Sequence, residues 1–347
     1  MSMSNFQMGL VGLGVVVLAV MAVHSAWASR KNLPKQATPD AQPSEQHLRG
    51  EGIEPGLDAA AFDVADFPLP VLDKKPSLDS LIDVIAPITL EAHISGEAAL
   101  ANMPSTRRAG SKPFAIEGFN EVSQCWELPQ AGHRYSAFQA GVQLANRSGA
   151  LNDIEFSEYV VKTQEFCDGI NGTPDFPDMR EQVARARELD QFAGDHDAQL
   201  GFVLRARNAA WSPGYVQQNA ARFGFVAGAI PGRMSLHASA AGLPPVLGMS
   251  FDAQAAQADD PALSAIREVF LSLDVAQADR SERAFERMRE AALSLASTMD
   301  GVVTDDNGTL LPPEALDVIA SELEQLYDTL DRRDLSAGSA LARRLFS

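Results

Sequence analysis

The stretch that decides the fold is Glu268–Val275, which reads EVFLSLDV. The residues on one side of this extended segment are all aliphatic: Val269, Leu271, Leu273 and Val275. The residues on the other side are Phe270, Ser272 and Asp274. Because successive side chains of a strand point to opposite faces, this alternation is typical of a strand that is buried on one face only. It predicts an antiparallel sheet with one covered face and one free face.

The segments around this strand alternate between strand and helix periodicity. The predicted elements are, in order, a strand at Gln199–Arg207, a helix at Pro213–Arg222, strands at Gly232–Ser239, Pro245–Asp252 and Glu268–Val275, a helix at Glu282–Met299, a short strand at Gly301–Thr304 and a helix at Pro313–Leu330. This order predicts an α+β domain whose helices cover one face of an antiparallel sheet.

The N-terminal part of the chain contains an almost wholly apolar run, Met8–Ala28. Its length is what a helix needs to cross the hydrocarbon core of a membrane. No charged residue precedes it, whereas Arg30, Lys31 and Lys35 follow it directly. By the positive-inside rule the sequence predicts a single transmembrane helix with its N-terminus in the periplasm and the remaining chain in the cytoplasm. The alternative is a signal peptide that is cleaved after Ala28.

Residues 30–76 are rich in proline, alanine and acidic residues, and this composition predicts a flexible linker. Residues 77–198 have a globular α/β pattern. Within them, Phe138–Ala145 and the helical patterns at Asn152–Cys167 and Phe176–Phe192 repeat the spacing of the last strand and helices of the chain. This central segment is therefore either a degenerate duplicate of the C-terminal domain or an unrelated insertion. The predicted domains are residues 1–29, 30–76, 77–198 and 199–347.

Composition excludes several functions. The 46 acidic residues outnumber the 28 basic ones and give a formal net charge of −18, which argues against broad nucleic-acid binding. The two cysteines, Cys125 and Cys167, have no metal-site spacing. No nucleophile, metal or phosphate-binding motif occurs in the 347 residues. The sequence predicts a protein that is not an enzyme and binds no cofactor and no metal.

One motif connects these features to a known family. Gly301-Val302-Val303-Thr304-Asp305-Asp306 follows an amphipathic helix and precedes Leu311-Pro312-Pro313-Glu314. Together with the N-terminal apolar run and the proline-rich acidic segment, this order resembles the ZipA family of cell-division proteins. The resemblance implies a split βαβ domain that binds the C-terminal tail of FtsZ, a tubulin-like protein, across its free sheet face. It also implies an inner-membrane protein that tethers the FtsZ ring.

The resemblance and the strand alternation together predict the residues of the binding face. These are Val203, Arg205, Ser235, His237, Gly248, Ser250, Phe270 and Ser272. Phe270 falls where the family has a phenylalanine in its groove, and the small residues leave room for a helix from the partner. The alternative function is that of a periplasmic protein released by signal cleavage, such as a hydrolase.

Overall fold

A computed structural model describes residues 34–37, 78–240, 242–258 and 264–347. These residues form two compact units. Residues 34–37 and 196–346 make up one, the C-terminal unit, and residues 78–195 with Ser347 make up the other, the central unit. No helix within the described residues is long and apolar enough to cross a membrane. The predicted span Met8–Ala28 lies outside them, as does most of the predicted linker.

The central unit contains an antiparallel sheet in the order β3-β4-β6-β1-β9. Asn152 caps its first long helix with the side-chain oxygen, which accepts hydrogen bonds from the N–H groups of Ile154 and Glu155. The elements are β1 (Asp83–Leu90), β2 (Ile94–Ser95), α1 (Gly96–Ala101), β3 (Arg108–Ala109), β4 (Lys112–Asn120), β5 (Trp126–Glu127), β6 (Arg134–Gln143), β7 (Ala145–Asn146), β8 (Gly149–Ala150), α2 (Asp153–Ile170), β9 (Gly172–Pro174) and α3 (Met179–His196).

The C-terminal unit contains a second antiparallel sheet, in the order β11-β12-β13-β14-β10-β15. Its elements are β10 (Gln199–Ala206), α4 (Pro213–Ala221), β11 (Phe225–Ala227), β12 (Arg233–Leu236), β13 (Leu247–Ser250), α5 (Ala253–Gln257), β14 (Glu268–Asp274), α6 (Ala284–Met299), β15 (Gly301–Thr304), α7 (Pro313–Asp331) and α8 (Ala340–Leu345). The strands and helices predicted between residues 199 and 330 are confirmed, while β11, α5 and α8 were missed. The coarse prediction of an α+β protein with antiparallel sheets is also confirmed.

The covered face of the C-terminal sheet is held by α6, which packs on β10, β14 and β15. Phe202 lies opposite Leu271, and both side chains are buried on this face. The helix buries one side, including Phe285, Met288 and Leu295, and ends where Asp300 adopts a left-handed conformation with φ of 59°. The alternation of Glu268–Val275 therefore sorts its aliphatic side chains toward the helix, as predicted.

The two units have the same topology. The central series β1, β3, β4, β6, α2, β9, α3 corresponds to β10, β12, β13, β14, α6, β15, α7, and the equivalent strands occupy equivalent places in the two sheets. The register also matches, because Ala140 lies opposite Ala86 and Ile116 as Leu271 lies opposite Phe202 and Met249. Both α2 and α6 end at a left-handed residue, Asn171 or Asp300, directly before a glycine. This correspondence favours duplication over an unrelated insertion, although the origin of the central segment stays a prediction.

Four residues of the predicted linker, Pro34–Ala37, pack on the C-terminal unit. Pro34 is buried, and the Lys35 N–H donates to the carbonyl of Ala210 at 2.7 Å. The Lys35 ammonium donates to the carbonyl of Met299 at 2.9 Å and lies 3.8 Å from the carboxylate of Asp300. Polar composition alone did not reveal this contact, because the partners lie more than 170 residues further along the chain.

We expect the two faces of β14 to respond differently to truncation. Leu271 is buried, so Leu271→Ala should lower the free energy of unfolding by about 2–5 kcal/mol. Phe270 is 44% exposed, so Phe270→Ala should cost clearly less than a buried phenylalanine would. Urea unfolding of the two variants measures both. Equal losses would show that the free face of β14 is covered in solution.

Candidate peptide-binding groove

A groove lies on the free face of the C-terminal sheet, across β12, β13 and β14. Its volume is about 440 Å³. Four of the eight residues predicted for the binding face line it: Ser235, Gly248, Ser250 and Ser272. The remaining lining comes from the hairpin Gly228–Ile230, from Arg233 and from the two methionines of the strands, Met234 and Met249. The structure therefore brings together half of the predicted site in one concave surface.

Small side chains form the floor of the groove. Ser235, Gly248 and Ser272 lie side by side across three neighbouring strands. A Cβ atom at position 248 would lie 2.6 Å from the hydroxyl oxygen of Ser272, so a larger residue there would displace that side chain. Because no large side chain rises from these positions, an approaching side chain can reach the surface of the sheet.

Apolar side chains stand exposed at two sides of this floor. Phe270 lies opposite Ser250 in the register and is 44% exposed. Ile230, in the hairpin between β11 and β12, is 56% exposed. Exposed apolar residues beside a groove are typical of a surface that binds another molecule. Phe270 thus faces away from the helices, as the alternation predicted.

The prediction fails on β10, at the other end of the free face. Val203 was expected to be exposed but is only 1% exposed. Its neighbour in the sheet is Thr304 of β15, which is also buried and donates its hydroxyl to the carbonyl of Val203. Beyond Thr304 the turn Asp305–Gly308 folds back toward β10, so that a Cβ atom at Gly201 would lie 3.0 Å from the carboxylate of Asp306. Val203 therefore lies at a buried end of the free face, outside the groove.

Arg205 and His237 also lie away from the groove. The Arg205 guanidinium pairs with Glu268 on the neighbouring strand at 3.4 Å, and Gly308 packs against it. His237 is exposed, but it follows the last residue of β12, and its carbonyl accepts a hydrogen bond from Arg287 of α6 at 3.2 Å. Neither residue lines the groove. Strand alternation placed both on the free face but could not locate the strand end or the turn.

Arg233 and Ile230 line the groove and were missed. Arg233 lies opposite Ser250 and is exposed. It is two residues before Ser235, so the same alternation placed it on the free face, and the signal was present in the sequence. Within the described part of the chain, Arg233 forms no ion pair, in contrast to Arg205. It therefore gives the groove a positive charge, although the whole protein is acidic.

A second polar cluster joins three strands of the central unit. One oxygen of Glu127 accepts hydrogen bonds from the amide of Asn120 at 2.7 Å and the hydroxyl of Tyr135 at 3.0 Å, and lies 2.5 Å from Nδ1 of His133. Burial raises the pKa of the Glu127 carboxyl, but these hydrogen bonds outweigh it and hold the pKa below its ordinary value of 4.5. Burial also raises the pKa of Tyr135 to about 12. The cluster fixes the ends of β4, β5 and β6 to one another.

No cluster of three or more histidine, cysteine, aspartate or glutamate side chains suited to a metal ion occurs within the described ranges. Neither a protein-family model nor a curated protein matches this chain. The groove, its apolar neighbours and Arg233 are the observations on which a proposal about function depends.

The Glu127 cluster predicts an acid-dependent loss of stability. A carboxyl whose pKa is lowered in the folded state stabilises the fold above its unfolded pKa, and that contribution is lost as the pH falls through the folded pKa. We therefore expect the wild type to be more stable than Glu127→Gln at pH 7, with the difference shrinking below about pH 4.5. Urea unfolding at a series of pH values measures this. A difference that is independent of pH would contradict it.

Proposed function

We propose that this chain is a membrane-anchored adaptor in bacterial cell division, whose C-terminal unit binds the C-terminal tail of FtsZ and tethers the FtsZ ring to the inner membrane. In this proposal the protein acts by binding and not by catalysis. The fold is a split βαβ domain of the ZipA type, and the tail lies on the free face of the sheet.

The observation that carries the proposal is the groove beside Phe270. A sheet face with a floor of glycine and serine, next to an exposed phenylalanine, has room for an apolar segment of a partner. An exposed aromatic at the side of a pocket is the kind of residue that dominates binding energy. The resemblance of Gly301–Asp306 and its flanking elements to the ZipA family supports FtsZ as the partner.

The contact of Lys35 with the C-terminal unit adds a consequence for the tether. If the apolar run ends at Ala28, only residues 29–33 separate the membrane from Pro34, which is docked. Such a segment reaches about 20 Å at most when it is extended. The C-terminal unit would then be held close to the membrane, and residues 38–77 would connect the two units instead of acting as the tether.

Phe270→Ala should weaken binding of the FtsZ tail peptide roughly thirtyfold, the loss expected when a hot-spot side chain worth about 2 kcal/mol is truncated. Its melting temperature should stay near that of the wild type, since the side chain is 44% exposed. Isothermal titration of the full chain in nanodiscs measures the affinity.

Val318→Ala is the matched control, because Val318 is an exposed apolar residue on α7 that lies outside the groove. It should leave binding unchanged. If Phe270→Ala folds and binds the tail as tightly as the wild type does, the groove is not the binding site. If the wild type does not bind the tail, FtsZ is not the partner.

The orientation in the membrane is tested separately. A phosphatase reporter fused after Ser347 should stay inactive and a cytoplasmic fluorescent reporter should be active, because the basic residues after the span keep the chain in the cytoplasm. An active phosphatase fusion would favour the signal-cleaved periplasmic protein instead.

A further inference from the structure

The free face of the central sheet already holds an apolar side chain. Leu78, at the start of the central unit, is only 5% exposed and lies over Gly141 of β6. A Cβ atom at position 141 would come 2.4 Å from a methyl group of Leu78, so only glycine leaves room for this contact. The N–H of Leu78 donates to the carboxylate of Glu117 on β4 at 3.3 Å. The leucine is thus anchored by both its side chain and its backbone.

The place that Leu78 occupies corresponds to the groove of the C-terminal unit. With Ala140 aligned to Leu271, Gly141 corresponds to Ser272, Ala115 to Gly248 and Glu117 to Ser250. Ser272, Gly248 and Ser250 all line the groove. The central unit therefore shows how one aliphatic side chain sits on this face of the shared fold, directly before a turn in which the carbonyl of Asp79 accepts hydrogen bonds from the N–H groups of Ile82 and Asp83.

Among the described residues of the C-terminal unit, no side chain before β10 occupies the equivalent place, for a simple reason of connectivity. Leu78 precedes β1 by five residues, and the residue that precedes β10 by the same number is Gly194. Gly194 lies within α3, which continues to His196. Because the chain enters β10 from a helix, the residues directly before the strand do not cross the free face. Among the residues that the structure describes, the groove is open at Gly248 and Ser272.

The charges on the two faces differ. In the central unit, Glu117 presents a carboxylate to the N–H of Leu78. In the C-terminal unit the equivalent residue is the neutral Ser250, and the residue opposite it on the neighbouring strand is Arg233. An exposed cation without an ion pair among the described residues favours a ligand that carries a carboxylate.

We propose that the groove binds a peptide segment through one aliphatic side chain and an adjacent aspartate or glutamate. The aliphatic side chain packs over Gly248 and Ser272, as Leu78 packs over Gly141. The backbone N–H of that residue donates to the hydroxyl oxygen of Ser250, and the neighbouring carboxylate pairs with Arg233. This inference rests on the proposed function for the identity of the biological partner. The two features that the groove recognises, an aliphatic side chain and a carboxylate, are inferred from the groove alone.

The test uses a capped pentapeptide with the sequence of residues 76–80, PSLDS, which contains one leucine followed by one aspartate. The peptide is titrated into the full chain in nanodiscs with methyl-labelled methionines, because Met234 and Met249 line the groove. We expect saturable shifts of these two methyl signals. Replacing the leucine of the peptide by alanine should weaken binding roughly thirtyfold, as for the loss of an anchor side chain.

Charge reversal tests the role of Arg233. Arg233→Glu should weaken binding of PSLDS about fivefold or more, and a peptide with lysine in place of the aspartate should bind this variant better than it binds the wild type. Arg222→Glu is the control, because Arg222 is an exposed arginine of the same unit outside the groove. It should bind PSLDS as the wild type does.

The outcomes separate this inference from the proposed partner. No methyl shifts with PSLDS, or shifts that are indifferent to the leucine and to Arg233, would overturn the inference even if the FtsZ tail binds. Shifts that depend on both, in a chain that does not bind the FtsZ tail, would uphold the inference and reject FtsZ. Shifts that appear only after deletion of residues 38–77 would show that the chain itself fills the groove, and would overturn binding of a partner.

Discussion

The rest of the structure depends on the packing of one helix against one face of a sheet. In the C-terminal unit α6 covers β10, β14 and β15, and the aliphatic residues of Glu268–Val275 are sorted toward it. Once that face is covered, the period of the strand forces Phe270 and Ser272 to the opposite face. The floor of the groove is thus a consequence of how the core is built, because Ser235, Gly248 and Ser272 lie on the face that the core does not use.

The free face of the sheet is arranged differently in the two units, although their topology is the same. In the central unit Leu78, shortly before β1, lies on this face over Gly141 and is held by Glu117. In the C-terminal unit the chain enters β10 from α3, and the turn after β15 covers only the β10 side. The difference arises from what precedes and follows the shared topology. Within the described ranges, it leaves the free face open at β12, β13 and β14 of the second sheet.

The charges of individual side chains differ from what the net charge of the protein suggests. The protein is acidic overall, with a net charge of −18, yet the charged side chain in the groove is Arg233. Arg205, which was expected to share that role, is neutralised by Glu268 and packed against Gly308. In the central unit, Glu127 keeps its charge despite burial, since three neighbouring groups bond to it. Local partners, and not the net charge, decide what each face can bind.

The sequence by itself determined the coarse fold and the face of each strand residue, because period-2 and period-3.6 patterns are local and depend only on nearest neighbours along the chain. From these, Ser235, Gly248, Ser250, Phe270 and Ser272 were correctly placed on the free face, and Arg233 could have been. Only the tertiary structure decided which part of that face is open. Val203 is buried beside Thr304 of β15, and Lys35 pairs with Trp211 and donates to the carbonyl of Met299, through contacts between residues about 100 to 260 positions apart. Such contacts leave no periodic signal in one sequence, since they depend on how loops and termini fold back over a finished sheet.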